Sequence, residues 1–375
     1  MRMAAYMPGI DISAIGLYEP PWILPNEWFG DTLPSKFVQH TGIESRRVSV
    51  DDEVTMAARA VENLQRETGC RLRDCAGVVF AASSLLSPPI GKRYRGEGCV
   101  WAEQLGCATR RFVKRLGIAG ASVAAINWGC SGYAKALAVA RRRAAGLKKG
   151  QFILAVTVNR TSKIIDYSCR QTAGLFGDFA QATLLVRSDS DKYPVHFELL
   201  SAGAETEPVD GVFFDFHVRE NVPVPTADSG RRCVPARLVF SLNGMGIGDA
   251  ASRAMATVAE KALRAARIDP GKVRFVIPHQ AGTGIVRLAA ERLKMIGVRG
   301  ELINGLTRQL GNISSSSVPQ AIRSEWDRLD GIILCPTAGV GNPGDATVTR
   351  GCVILETTQT HRLAVAVDRG LGRAS

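Results

Sequence analysis

A repetition constrains this chain most. A helical pattern over 55–68, a polar turn and an apolar strand at 78–82 recur as a helical pattern over 249–267, the turn Asp269-Pro270-Gly271 and a strand at 273–277. A chain that spells one helix–strand unit twice is expected to fold as two similar halves. Further apolar, β-branched runs stand at 121–127, 152–158, 182–186, 331–335 and 352–356, separated by Ala-rich helical patterns. Strands that read apolar throughout are covered on both faces, so the expected class is α/β with largely buried strands. The polar stretch 187–193 is the expected join, giving halves 1–188 and 189–375, and 203–235, rich in Pro, Gly and charge, reads as a long irregular excursion.

With 375 residues, 46% of them hydrophobic, the chain can bury a sizeable core. No run approaches the roughly 18 apolar residues of a membrane span, and residues 1–10 lack a basic region followed by a long apolar stretch. A cytoplasmic protein without a membrane partner is expected. Nine cysteines, an odd number without CxxC spacing, indicate neither a disulfide framework nor a zinc site. The net charge of +12 raises nucleic acid as a partner. Yet the basic clusters, Arg110-Arg111 with Lys114-Arg115 and Arg141-Arg142-Arg143 with Lys148-Lys149, lack the interleaved aromatics of a base-stacking platform. They read as solvated faces or as a dock for an acidic protein, and no nucleic-acid partner is expected.

Three segments carry chemistry. Asn127-Trp128-Gly129-Cys130-Ser131-Gly132 follows an apolar strand and precedes a helical run, which places Cys130 at a strand-to-helix turn. Free backbone N–H groups and the helix dipole there favour thiolate over thiol, and the small neighbours let a thioester approach. Val276-Ile277-Pro278-His279-Gln280-Ala281-Gly282 is again a strand running into a helix, so His279 projects from a strand end, where a neutral imidazole could donate to an oxyanion. His40, His196, His217 and His361 lack that context. Gly311-Asn312-Ile313, followed by four serines and Val318-Pro319, reads as a helix start near which Asn312 offers an amide donor. Thiol, imidazole and carboxamide are the groups needed for acyl transfer followed by carbanion attack.

These segments, with Thr41-Gly42-Ile43, Arg46-Arg47 and Gly177-Asp178, make the chain resemble the ketoacyl-acyl-carrier-protein synthase III branch of the thiolase superfamily over nearly its whole length. The resemblance implies a thiolase fold, a five-layered αβαβα sandwich of two pseudo-symmetric halves, assembled as a homodimer. It implies that Cys130 takes an acyl group from a CoA or acyl-carrier-protein thioester, and that His279 and Asn312 bind the thioester oxygen of a malonyl or β-ketoacyl partner for Claisen condensation. The oxyanion hole would combine the backbone N–H of Cys130 with one from the loop 338–341, at Gly339 or Gly341. Trp28, His40, Gln280 and Ser316 are the implied substrate contacts, and no metal or cofactor is required.

The sequence also departs from that pattern. Where relatives that use CoA carry a Trp and an Arg before Thr-Gly-Ile, this chain has Lys36 and His40, although Trp28 lies in an Asn-Glu-Trp string that could deliver an aromatic. The segment 88–115 is long and basic at both ends, and the loops at 177–182 and 338–344 are altered. These changes point to a specialised acyl or polyketide pathway, including the joining of two chains to a pyrone or resorcinol precursor. The alternatives are an acyltransferase that passes the Cys130-bound group to a hydroxyl or amine, and a non-catalytic carrier-binding subunit.

Overall fold

The computed structural model describes residues 9–86, 104–211, 214–226, 230–242, 244–341, 344 and 346–368. Lys92, Arg93 and Arg95, at the start of the long basic segment 88–115, lie outside the described residues.

The first half comprises β1 (Ile10–Tyr18), a small ribbon of β2 (Trp22–Pro25) and β3 (Ser45–Val48) flanking α1 (Phe37–Thr41), then α2 (Glu53–Thr68), β4 (Cys75–Ala82), α3 (Leu105–Arg115), β5 (Ser122–Ile126), α4 (Gly132–Arg143), β6 (Phe152–Asn159) and β7 (Phe179–Arg187). The second contains β8 (Phe197–Pro208), β9 (Phe214–Pro225), β10 (Arg231–Leu242), α5 (Gly244–Ala266), β11 (Val273–Val276), α6 (Thr283–Met295), β12 (Glu301–Leu302), α7 (Thr307–Leu310), α8 (Ser317–Ser324), β13 (Ile332–Val340), β14 (Thr347–Thr357) and α9 (Gln359–Asp368).

The repetition in the sequence is a repetition in space. From the centre outwards, one half-sheet runs β1-β7-β6-β4-β5 and the other β8-β14-β13-β11-β12. The pairing senses match as well: antiparallel for the inner pairs β1–β7, β7–β6, β8–β14 and β14–β13, parallel for the outer ones. The half-sheets meet where Ile12 of β1 pairs with Phe197 of β8, and the buried Asp11 carboxylate accepts the Leu199 N–H at 2.8 Å across that seam.

Each element follows from its residues. Helix α2 begins where Asp52 accepts the Thr55 N–H at 2.8 Å and ends at Gly69, which takes φ +66°. Its Val54, Ala57, Val61 and Leu64 side packs with the sheet residues Val78, Phe80, Leu154 and Leu184. Strands β4, β6 and β7 are buried along almost their whole length, because α2 and α3 cover one face and α4 and α8 the other. Helix α4 touches strands of both half-sheets, and α5 and α6 close the far side. The layers are therefore helix, sheet, helix, sheet, helix.

One expectation is corrected. The described residues of 203–235 are not irregular: they hold the end of β8, then β9 and the start of β10, and β9 and β10 pair along 11 registered positions as a separate hairpin. Pro223, Pro225, Pro235 and the exposed charges Arg219, Glu220, Arg231 and Arg232 hid a one-sided ribbon, whose Phe216, Val222, Val224, Leu238 and Phe240 turn inward. Strands β1 and β8 were also not expected; the buried polar Asp11 and Ser13 interrupt the apolar run of β1.

The approach of α4 to the second half-sheet depends on Gly351 of β14, where an added Cβ would lie 2.8 Å from the Ala134 Cβ. Gly351→Ala is expected to lower stability by about 1–3 kcal/mol, seen as a lower urea midpoint at unchanged m-value. An unchanged midpoint would contradict this packing.

Candidate active site

Cys130 sits in the turn between β5 and α4, and three glycines let the surrounding backbone close on it. Gly129 takes φ +48°, a region that favours glycine, and an added Cβ would stand 3.0 Å from the Val340 carbonyl. At Gly339 of β13 a Cβ would meet the Cys130 nitrogen at 2.7 Å and Cβ at 2.9 Å, and at Gly132 it would meet the Ser315 Cβ at 3.0 Å. The cysteine turn, the end of β13 and the serine turn thus converge within contact distance.

His279 lies beyond β11, on backbone that continues the pairing with β13: its N–H donates to the Pro336 carbonyl at 2.9 Å. The ring Nδ1 lies 2.7 Å from the Ser317 hydroxyl, which also accepts the Gln280 N–H at 3.3 Å. That hydroxyl hydrogen is best placed on Nδ1, which assigns the imidazole proton to Nε2. Nε2 is buried without a hydrogen-bond partner. Burial lowers the His279 pKa to about 3, so the imidazole is neutral at ordinary pH.

Asn312 follows Gly311, which takes φ +68°, and its backbone is clasped to the first half by Asn312 N–H to Leu175 O at 2.8 Å and Gly177 N–H to Asn312 O at 3.1 Å. Its Oδ1 accepts the Ser314 N–H at 2.8 Å, leaving the amide N–H groups as the free end. Cys130, His279, Asn312 and Ser314 all line one cavity of about 580 Å³, whose walls are otherwise largely apolar: Phe176, Phe214, Phe216, Phe240, Leu242 and Ile285. Three of those phenylalanines come from the β9–β10 hairpin.

Burial also governs the sulfur. It raises the Cys130 pKa to about 11, against the opposing pull of a Ser314 hydroxyl that donates to Sγ at 3.5 Å. The thiolate expected from the helix dipole is therefore corrected: loss of solvation outweighs the dipole, and Cys130 rests as a thiol.

The family model described as 3-oxoacyl-[acyl-carrier-protein (ACP)] synthase III matches residues 125–203. The curated β-ketoacyl-[acyl-carrier-protein] synthase III of Sulfurovum sp. (strain NBC37-1) is 29% identical over 341 residues, 88% of this chain and 92% of that protein. Among solved structures, 3-oxoacyl-(acyl carrier protein) synthase III of Pseudomonas aeruginosa PAO1 superposes with TM-score 0.69 at 22% identity, covering 94% of this chain and 99% of that one. The priming β-ketosynthase of the R1128 polyketide pathway also gives 0.69, at 19% identity over 94% and 97% of the two chains.

The chain is a synthase III-like condensing enzyme. Its fold is the thiolase fold, a five-layered αβαβα sandwich of two pseudo-symmetric halves, and its activity class is that of an acyltransferase.

In this condensing enzyme His40 and Gly339 line the cavity together with Cys130, His279 and Asn312. Other expected contacts are placed elsewhere. The Trp28 indole is buried beneath the hairpin: Nε1 donates to the Gly230 carbonyl at 3.0 Å, and the Arg231 guanidinium covers the ring at 4.5 Å. Gln280 turns back to the Pro278 and Ile303 carbonyls at 2.9 and 3.1 Å, so it positions backbone rather than substrate. Ser316 is fully buried on Thr157 at 2.8 Å and Asn159 at 3.0 Å. The Gly341 N–H donates to Thr347 O at 3.0 Å, and Gly339 pairs with Thr349 in the same β13–β14 ladder.

The sequence reading passed over Ser314, Ser317 and Asn159. The four consecutive serines looked like a single helix-start signal, but they occupy a tight turn and point in different directions. Ser314 meets the sulfur, Ser315 and Ser316 meet Asn159, and Ser317 meets the imidazole. The run itself was the available signal.

A thiol kept neutral by loss of solvation has a measurable consequence. Iodoacetamide labelling of Cys130, read by intact mass against Cys130→Ala, is expected to climb about tenfold per pH unit between about pH 7 and about pH 9 with no plateau. A plateau near neutrality would reveal a thiolate already present.

Proposed function

We propose that Cys130 is the acyl-accepting nucleophile of a decarboxylative or chain-joining Claisen condensation in which His279 and Asn312 hold the second substrate. The observation that carries this reading is the convergence of one thiol, one neutral imidazole with an unpartnered Nε2 and one carboxamide on a single apolar cavity.

In the first step the Cys130 sulfur attacks the carbonyl of a thioester donor, a C–S bond forms, and the donor thiol departs with a proton. We assign the oxyanion to the backbone N–H of Cys130 and one from the loop 338–341. In the second step a malonyl thioester loses carbon dioxide, and the electrons of the broken C–C bond form an enolate. Its oxygen accepts from His279 Nε2–H and the Asn312 amide, and burial that keeps the imidazole neutral makes it a donor without a competing positive charge. The enolate carbon then attacks the Cys130 thioester, the new C–C bond forms, and the cysteine sulfur leaves. A β-ketoacyl partner would supply its carbanion by deprotonation instead.

The donor and acceptor are assigned to an acyl carrier protein, with CoA as the other source of acyl groups. The exposed Arg141 and Arg142 on α4 support an acidic docking partner. The phenylalanine-rich cavity supports an extended acyl chain in specialised metabolism, and a pyrone or resorcinol precursor is the finer proposal. A homodimer is supported by β5, an edge strand of the sheet on which Val123 is 41% exposed. We retain 1–188 and 189–375 as the two units, since β7 ends at Arg187 and β8 begins at Phe197. Eight described cysteines, all free, suit a reducing cytoplasm. Among the described residues no helix is long and apolar enough to cross a membrane.

Intact-protein mass spectrometry after mixing with a panel of acyl-CoA and acyl-carrier donors tests the assignment. One donor at least is expected to add a single acyl group that is absent from Cys130→Ala and present in His279→Ala. An adduct that persists in Cys130→Ala, or no adduct from any donor, would overturn it.

A further inference from the structure

The Ser314 side chain is unlike its three serine neighbours in that it meets the reacting atom. Its hydroxyl donates to Cys130 Sγ at 3.5 Å, within range for a sulfur acceptor, and the same residue lines the cavity. Its backbone holds φ +51°, a left-handed conformation that costs a non-glycine residue energy.

Two sets of bonds enforce that conformation. The Ser314 N–H is fixed by Asn312 Oδ1 at 2.8 Å. From the other half, the Asn159 amide at the end of β6 donates to the Ile313 carbonyl at 2.9 Å and to Ser316 Oγ at 3.0 Å, bracketing the residue in sequence. A turn held from both sides, carrying a strained residue whose hydroxyl ends on the sulfur, is arranged around that contact.

We propose that the Ser314 hydroxyl is a further catalytic group, a donor that stabilises the Cys130 thiolate when the thiol loses its proton. The inference rests on Cys130 being the nucleophile. In an apolar cavity from which the helix dipole alone does not recover a thiolate, one donor on the developing charge has a large effect, because a hydrogen bond to an ionised group is about twice as strong as a neutral one. Once Cys130 is acylated the sulfur carries no charge and that bond weakens. It strengthens again when condensation returns the thiolate, so the hydroxyl acts on both the entry and the departure of the acyl group.

The test reads ionisation of the thiol and not acyl transfer, so it can fail independently of the assignment of Cys130 as nucleophile. The rate of Cys130 alkylation is followed against pH: the thiolate forms the C–S bond, iodide leaves, and the proton goes to buffer. Two variants separate the hydroxyl from the backbone. Ser314→Ala removes the hydroxyl and retains the strain, whereas Ser314→Gly removes the hydroxyl and suits φ +51°. Both are expected to move the titration up by about one pH unit, which slows alkylation at about pH 8 by about threefold to fourfold once the greater nucleophilicity of a more basic thiolate is allowed for. Ser314→Asn, which tolerates the left-handed region and restores a donor, is expected to recover part of the shift. An unchanged titration in Ser314→Gly would overturn the proposal. So would a shift confined to Ser314→Ala, which would trace the effect to the turn and not to the hydroxyl.

Discussion

The site depends on one clasp between the halves. Asn159, at the end of β6 in the first half, donates through a single amide to the Ile313 carbonyl and the Ser315 and Ser316 hydroxyls of the second, at 2.9, 3.3 and 3.0 Å. Its Oδ1 is bonded in turn by Ser83, and Gln181 reaches the same network through Thr157. Buried polar groups satisfied by one another fix a unique register, since any slip would leave several unpaired at once. What the clasp fixes is the turn 312–317, and that turn carries Asn312, the serine on the sulfur and the serine on the imidazole. The alignment of second-half groups with a first-half cysteine is thus set by hydrogen bonds and not by apolar packing, which tolerates slippage better.

Burial determines the electrical state of the site. It pushes the thiol up to about 11 and the imidazole down to about 3, so both rest uncharged. A neutral, largely apolar cavity suits thioester chemistry: charge appears only during reaction, and fixed donors act on it in a low-dielectric setting where they count for more than in water. Other buried cysteines are raised too; Cys75 reaches about 12. Basicity therefore does not distinguish Cys130. The convergence of donors on it does.

The fold was legible where the pattern was regular. The repeated helix–strand unit survives as α2–β4 and α5–β11, and the buried strands β4, β6, β7, β13 and β14 all fall on the expected apolar runs. The hairpin β9–β10 was concealed because one of its faces is solvated and its prolines mimic loop chemistry. In the site, Cys130, His279 and Asn312 could be picked out because each stands at the end of an element, and such positions are readable from spacing. Trp28 and Gln280 could not be judged from spacing: whether an indole faces a cavity or a covering hairpin depends on contacts more than 200 positions away in the chain, as with Gly230.

In the proposed reaction a neutral His279 and Asn312 stabilise an enolate formed opposite a Cys130 thioester. Carbon dioxide release from a malonyl-carrier substrate, measured with enzyme already acylated at Cys130, tests it most directly. Loss of one oxyanion donor in His279→Ala or Asn312→Ala should slow release by about 10²–10³-fold, while wild type couples each carbon dioxide to one new C–C bond. Undiminished release in both variants, or an ester or amide formed without carbon dioxide, would contradict it.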